Sequence, residues 1–240
     1  MKFQFIYDHS PIFFQNFMTS VYGYTLKRTR YGKYYFEHMQ LLKKLHSYSK
    51  EQLLEYQFDE MKKLLLYVNE HSKFYHDLYK GINIDNIKTV EDIKLLPIVT
   101  KEMLRKNIDD VITIPKKGAV ADHTGGTTGK SLIVYNRVED IQKRMAVLDF
   151  FKLKNGFENI KMKKATFMGK HIVPPTQKKK VFWRYNKPIK QMLYSSFHLT
   201  EENIPYYIES LNNFKPEAID GFVSSIYEIA FYIKRKNVKL

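Results

Sequence analysis

Thr124-Gly125-Gly126-Thr127-Thr128-Gly129 contains nothing but glycine and threonine, and Lys130 and Ser131 close the run. Such a stretch cannot form the interior of a helix or a strand. Glycine leaves the backbone too free, and β-branched threonine is a poor helix former. Short extended patterns flank it, Ala119–His123 before and Leu132–Tyr135 after. The feature therefore dictates a strand–loop–strand unit. Its bare amides can converge on an anion as a nest, the threonine hydroxyls add donors, and Lys130 adds a positive charge. Many donors with little bulk suit a triphosphate.

The Walker-type phosphate loop needs G-x-x-x-x-G-K-[ST]. Gly129-Lys130-Ser131 fits its end, but position 124 is threonine and Gly125 comes one residue late. That loop also runs straight into a helix, whereas Leu132-Ile133-Val134-Tyr135 is a β-type run. The Walker reading is therefore disfavoured.

The segment resembles instead the phosphate loop of adenylate-forming enzymes, typically T-[SG]-G-[ST]-T-G-x-P, with Ser131 in place of the usual proline. Tyr67–Tyr75, Leu96-Pro97-Ile98-Val99-Thr100-Lys101-Glu102, Phe182-Trp183-Arg184, Tyr194–Thr200 and Phe214–Ser225 follow in the order of the phenylacetate–CoA ligase branch. Within that branch the pattern is most similar to the CapK-type capsular polysaccharide biosynthesis proteins, over nearly the whole chain. The resemblance implies a ligase that activates a carboxylate as acyl-AMP with ATP and its Mg2+, coenzyme A being the common acceptor. Thr124, Gly125, Gly126, Thr127, Thr128, Gly129 and Lys130 would then cradle the β- and γ-phosphates. Lys130 would supply the cation, Thr127 and Thr128 hydroxyl donors, and the three glycines close backbone approach. Members of the family are about twice as long, and their later adenine, ribose, magnesium and catalytic-lysine positions have no match here. The expectation is an N-terminal portion: a truncated product, a fragment, or one half completed by a separate chain. No catalytic residue and no metal ligand is assigned to it.

Forty Lys and Arg stand against 25 Asp and Glu, a net charge of +15. Lysines are scattered over the whole length, which reads as solvated faces rather than a specific nucleic-acid surface. Attraction to an anionic substrate or membrane remains. A non-catalytic basic module holding an anionic glycan, nucleic acid or membrane is thus the alternative function, and an inactive remnant a third. There is no cysteine, which excludes a disulfide scaffold, a thiolate zinc site and a cysteine nucleophile. No apolar run reaches membrane-spanning length, and no signal peptide is evident, so a cytoplasmic setting is expected. The aromatic stretch Pro11–Met18 with Lys27, Arg28 and Arg30 suits either a peripheral membrane contact or packing within its own domain, and the second is preferred. A homodimer is compatible with all of this.

The fold class expected is α/β: a helical N-terminal region, 1–110, on an incomplete mixed sheet with helices, 111–240, in one continuous domain. Leu53, Leu54, Phe58, Met61, Leu64, Leu65 and Val68 mark a helix face, capped by Ser49 with Gln52. Helix is expected to continue from Tyr67 to Tyr79. Strands are expected at Val111–Ile114, Lys164–Met168, Met192–Ser195 and Ala218–Asp220. A helix over Arg137–Lys154 should turn Ile141, Met145, Leu148, Phe151 and Leu153 inward, and another should run from Ser224 to about Lys236.

Among other candidates, His123 beside the loop could orient a phosphate or a substrate group, with a capping or packed histidine as the alternative. His171 and His198 read as structural, with pocket lining as the alternative. Asp220-Gly221 reads as a strand end opening into a pocket loop rather than a hairpin. That makes Gly221, Phe222 and Ser224 candidate walls of an acyl or nucleotide pocket.

Overall fold

The computed structural model describes residues 2–124 and 131–239, so 125–130 lie outside the described residues. The architecture is α/β, with helices around small open sheets. Two compact units divide the chain, one made of 33–147 and the other of 1–32 with 148–240. The opening helices, α1 (Lys2–His9) and α2 (Ile12–Arg30), belong to the second.

The unit 33–147 begins with α3 (Lys33–Leu45) and α4 (Lys50–His71). The expected capping box holds α4: Ser49 Oγ accepts from Gln52 N at 3.3 Å, and Gln52 Oε1 accepts from Ser49 N at 2.9 Å. A cap of this kind is worth about 1 kcal/mol. Phe58, Met61, Leu65 and Val68 pack with Tyr79, Ile84 and Ile87 into this unit's core. Leu53, Leu54 and Leu64 are exposed instead, because only one side of α4 meets that cluster.

The continuous helix expected over Tyr67–Tyr79 is broken at Ser72, which ends α4 and caps α5 (Lys73–Leu78). Ser72 is 1% exposed; its Oγ accepts from Tyr75 N and donates to Asp110 O at 2.9 Å. A tertiary hydrogen bond thus fixes an extended residue where propensity alone would continue the helix.

Thr100 caps α6 (Lys101–Lys106), and α7 (Ile108–Val111) follows. The strand expected at Val111–Ile114 is absent: Val111 closes α7, and its amide bonds Asn107 O at 3.0 Å. Next come β1 (Val120–His123) and β2 (Ile133–Asn136), paired antiparallel, then α8 (Val138–Lys154). On α8, Gln142, Ala146 and Asp149 are buried while Leu148, Phe151 and Leu153 are exposed, the reverse of the apolar expectation for these three.

The other unit carries β3 (Lys164–Met168), β4 (Trp183–Asn186), β5 (Gln191–Ser195), α9 (Ile204–Phe214), β6 (Ala218–Gly221) and α10 (Val223–Lys236). Strand order is β4-β5-β3-β6, with β3 parallel to β5 and β6 and β4 antiparallel to β5. Alternation along β3 sends Ala165 and Phe167 to one face and Lys164 and Thr166 to the other. The first face is apolar: Phe167 and Tyr194 stack at 4.8 Å, and Tyr207, Ile208, Leu211 and Ile229 of α9 and α10 cover them. Each such side chain contributes about 1.5–3 kcal/mol by leaving water.

The second face is polar, and it decides how α2 packs. β4 is an edge strand whose open backbone needs partners. Asn16 Oδ1 accepts from Tyr185 N at 2.8 Å and Ser20 Oγ donates to Tyr185 O at 3.2 Å. Arg184, fully buried, donates to Gln15 Oε1 at 2.6 Å and to Gln177 Oε1 at 3.0 Å. Gln15, Thr19 and Gly23 therefore face inward. The aromatic stretch expected to pack within its own domain turns outward: Phe13 is 74% and Phe17 61% exposed. A polar sheet face selects the polar stripe of the helix laid on it.

Candidate functional site: a loop hairpin and a set of strand ends

The Gly/Thr segment leaves and re-enters a two-stranded ladder. Val120 faces Asn136, and His123 faces Ile133 at the end nearest the segment. Beyond His123, Thr124 N donates to Leu132 O at 3.0 Å, and Thr124 Oγ1 accepts from Leu132 N at 3.0 Å. Ser131 Oγ donates to Thr124 O at 2.9 Å. Three hydrogen bonds thus tie the neck, and Leu132, 8% exposed, anchors it. The Ser131 that departs from the usual proline is used here as a donor to the opposite side of the neck. Gly125, Gly126, Thr127, Thr128, Gly129 and Lys130 lie outside the described residues. A strand, β2, follows the segment, as its β-type pattern required and as a Walker loop would not allow. His123 is exposed at the end of β1.

Gly221, Phe222 and Ser224 belong to the other unit, at the carboxyl ends of the parallel strands. Gly221 has φ +139°, and a Cβ there would lie 2.7 Å from Phe167 N, so only glycine lets β6 approach β3 this closely. No loop opens after it. Phe222 alone joins β6 to α10, and its N donates to Phe167 O at 3.0 Å. The Phe222 ring lies 2.7 Å from where a Cβ on Gly169 would sit. Ser224 is exposed in the first turn of α10, while the neighbouring Ser225 is buried and donates to Ser196 Oγ at 3.0 Å. At the end of β5, Ser195 Oγ and His198 Nδ1 lie 2.9 Å apart. Burial holds the His198 imidazole below its usual pKa, favouring the neutral ring. His171 stacks on Phe197 at 5.1 Å.

Sequence reasoning missed a polar chain across the sheet. Asn186 Nδ2 donates to Gln191 Oε1 at 3.3 Å, and Gln191 Nε2 donates to Thr166 Oγ1 at 2.7 Å. Thr166 donates in turn to Asp220, whose other oxygen meets Lys152 at 2.9 Å and Lys164 at 3.5 Å. Burial would raise the Asp220 pKa, but the Lys164 charge with the Thr166 and Lys152 hydrogen bonds outweighs it and holds the carboxyl below its usual range. Burial lowers the Lys164 pKa, and the Asp220 charge opposes that only in part. The chain ties four strands in register and keeps a carboxylate ionised one residue before Gly221. The available signal was Lys164 and Thr166 at alternate positions of a strand, which marks a polar face without saying that it is buried.

No family model matches this chain. It is similar to Protein CapK of Staphylococcus aureus, 41% identical over 237 residues, which cover 98% of this chain and 51% of that protein. The chain thus spans about half the length of the curated relative it matches.

Proposed function

We propose that this chain is the nucleotide-capturing portion of an adenylate-forming, carboxylate-activating protein that serves in capsule or surface polysaccharide synthesis. The observation that carries the reading is the neck at Thr124, Ser131 and Leu132, which holds the two ends of a Gly/Thr/Lys segment on an antiparallel ladder. A segment pinned at its base and free of bulky side chains is suited to wrap its amides around phosphate oxygens. Lys130 supplies a compact cation for the same oxygens. Similarity to Protein CapK supports the biosynthetic context. ATP, with its magnesium, is the nucleotide proposed, and coenzyme A the acyl acceptor of the complete reaction.

Calorimetry of the full chain with ATP and Mg2+, beside the Lys130→Ala variant, tests this. Binding that weakens at least tenfold in the variant supports the reading; equal affinities, or none in either protein, overturn it. The net charge of +15 favours a second reading, a basic module that holds an anionic polymer. A salt titration separates the two. Polyanion binding that collapses with salt and ignores Lys130 speaks for the second.

A further inference from the structure

The polar sheet face and the helices laid on it do not close completely. Between α1, α2 and strands β3 to β5 lies a cavity of about 360 Å³, within the size range of small-ligand sites. Its walls are mainly apolar, with Met18 and Leu26 of α2 facing Met168, Ile189 and Leu193. Two polar groups of the wall are already engaged: Tyr7 Oη donates to Ile172 O at 2.7 Å, and Gln191 holds Thr166. Asn186, also in the wall, keeps a buried Oδ1 without a donor among the described residues. Arg30, Lys170 and His171 also line it, and no Asp or Glu does. Among the described residues, Arg30 and Lys170 make no ion pair with a carboxylate. An apolar pocket edged by uncommitted cations has one complement in ligand chemistry: an apolar body with a single anionic head.

We propose that this cavity binds a small amphipathic anion, with a medium-length acyl or aryl body inside and a carboxylate or phosphate head at Arg30 and Lys170. A fully polar anion would leave the apolar walls unused. A neutral amphiphile would leave the cations in water. The inference does not rest on the nucleotide reading, because the Gly/Thr loop belongs to the other unit.

The test is a titration of the full chain, without nucleotide, with octanoate, octyl phosphate and 1-octanol. Methionine-methyl NMR reports on Met18 and Met168 directly. Saturable shifts at both methyls are expected with the two anions, at least tenfold tighter than with 1-octanol. Whichever anion binds tighter names the head group, and equal affinities assign the site to either. Lys170→Glu, an exposed substitution, should weaken both anions at least tenfold and leave 1-octanol unchanged. Leu26→Trp should block all three; if that variant does not fold, Lys170→Glu decides alone. Absence of saturable shifts at these methyls, or anion affinities equal to that of 1-octanol and unaffected by Lys170→Glu, overturns the proposal.

Discussion

Gly23 of α2 lies directly against the carboxamide of Asn186 at the end of β4, and a Cβ on Gly23 would collide with Asn186 Oδ1. That oxygen is buried without a hydrogen-bond donor among the described residues, so the glycine Cα is what it rests on. The contact sets how closely α2 approaches the sheet, and through Gln191 it joins the polar chain that ends at Asp220.

Gly23→Ala should therefore destabilise the protein although alanine is the better helix former by about 1 kcal/mol. Forcing a buried amide aside costs about 1–3 kcal/mol, which exceeds that gain. Urea unfolding should show the loss. Asn186→Ala should make the same glycine substitution nearly neutral, giving a non-additive double variant.

Thr124→Val keeps the shape of the loop neck and removes the acceptor for Leu132 N. Hydrogen exchange at the Leu132 amide should accelerate, with a stability change of about 1 kcal/mol or less. Under the proposed function, ATP affinity should fall in the same variant because the loop base is loosened. Unchanged exchange at Leu132 would show that the hydroxyl does not hold the neck.

Asp220 is paired with Lys152 and Lys164, whose side chains are 18% and 9% exposed against 34% for Asp220. Asp220→Ala strands Lys164 as a buried, unpaired cation. A loss of about 1–3 kcal/mol is expected, below that of a fully buried pair because Asp220 meets solvent. Adding Lys164→Met should recover part of it. The folded-state pKa of Asp220 is depressed, so its contribution is present above the unfolded-state value near 3.8 and is lost as pH falls through the lower folded-state value. Wild-type stability should accordingly drop more steeply below about pH 4 than that of Asp220→Asn.

His198 should titrate below the ordinary 6.5 when followed by NMR, because burial disfavours the charged ring. Its folded-state pKa lies below the unfolded-state one, so its contribution is full above about pH 6.5 and is lost as pH falls toward the folded-state value. His198→Gln should flatten that part of the stability profile. A normal or raised pKa would place the ring in solvent or beside an acid, contrary to its bond with Ser195.

Features whose causes lie within a few residues were legible in the sequence. Ser49 and Gln52 make a capping box wherever a helix follows them. The extended runs on either side of the Gly/Thr segment pair with each other, as their patterns required. β3, β6 and α10 follow from alternation and helical spacing alone. What the sequence could not determine is which side of an element turns inward, because that depends on the surface it meets. An apolar stripe on α2 promised a buried aromatic face. The sheet offers α2 the edge of β4 and a polar face, so Gln15, Thr19 and Gly23 are buried, Asn16 and Ser20 bond the β4 backbone, and Phe13 and Phe17 are left in solvent. The break at Ser72, the chain from Asn186 to Asp220 and the cavity lined by Met18 and Leu193 have the same origin. Each arises where segments far apart in sequence meet, and the free energy of an unpaired buried polar group exists only after they have met.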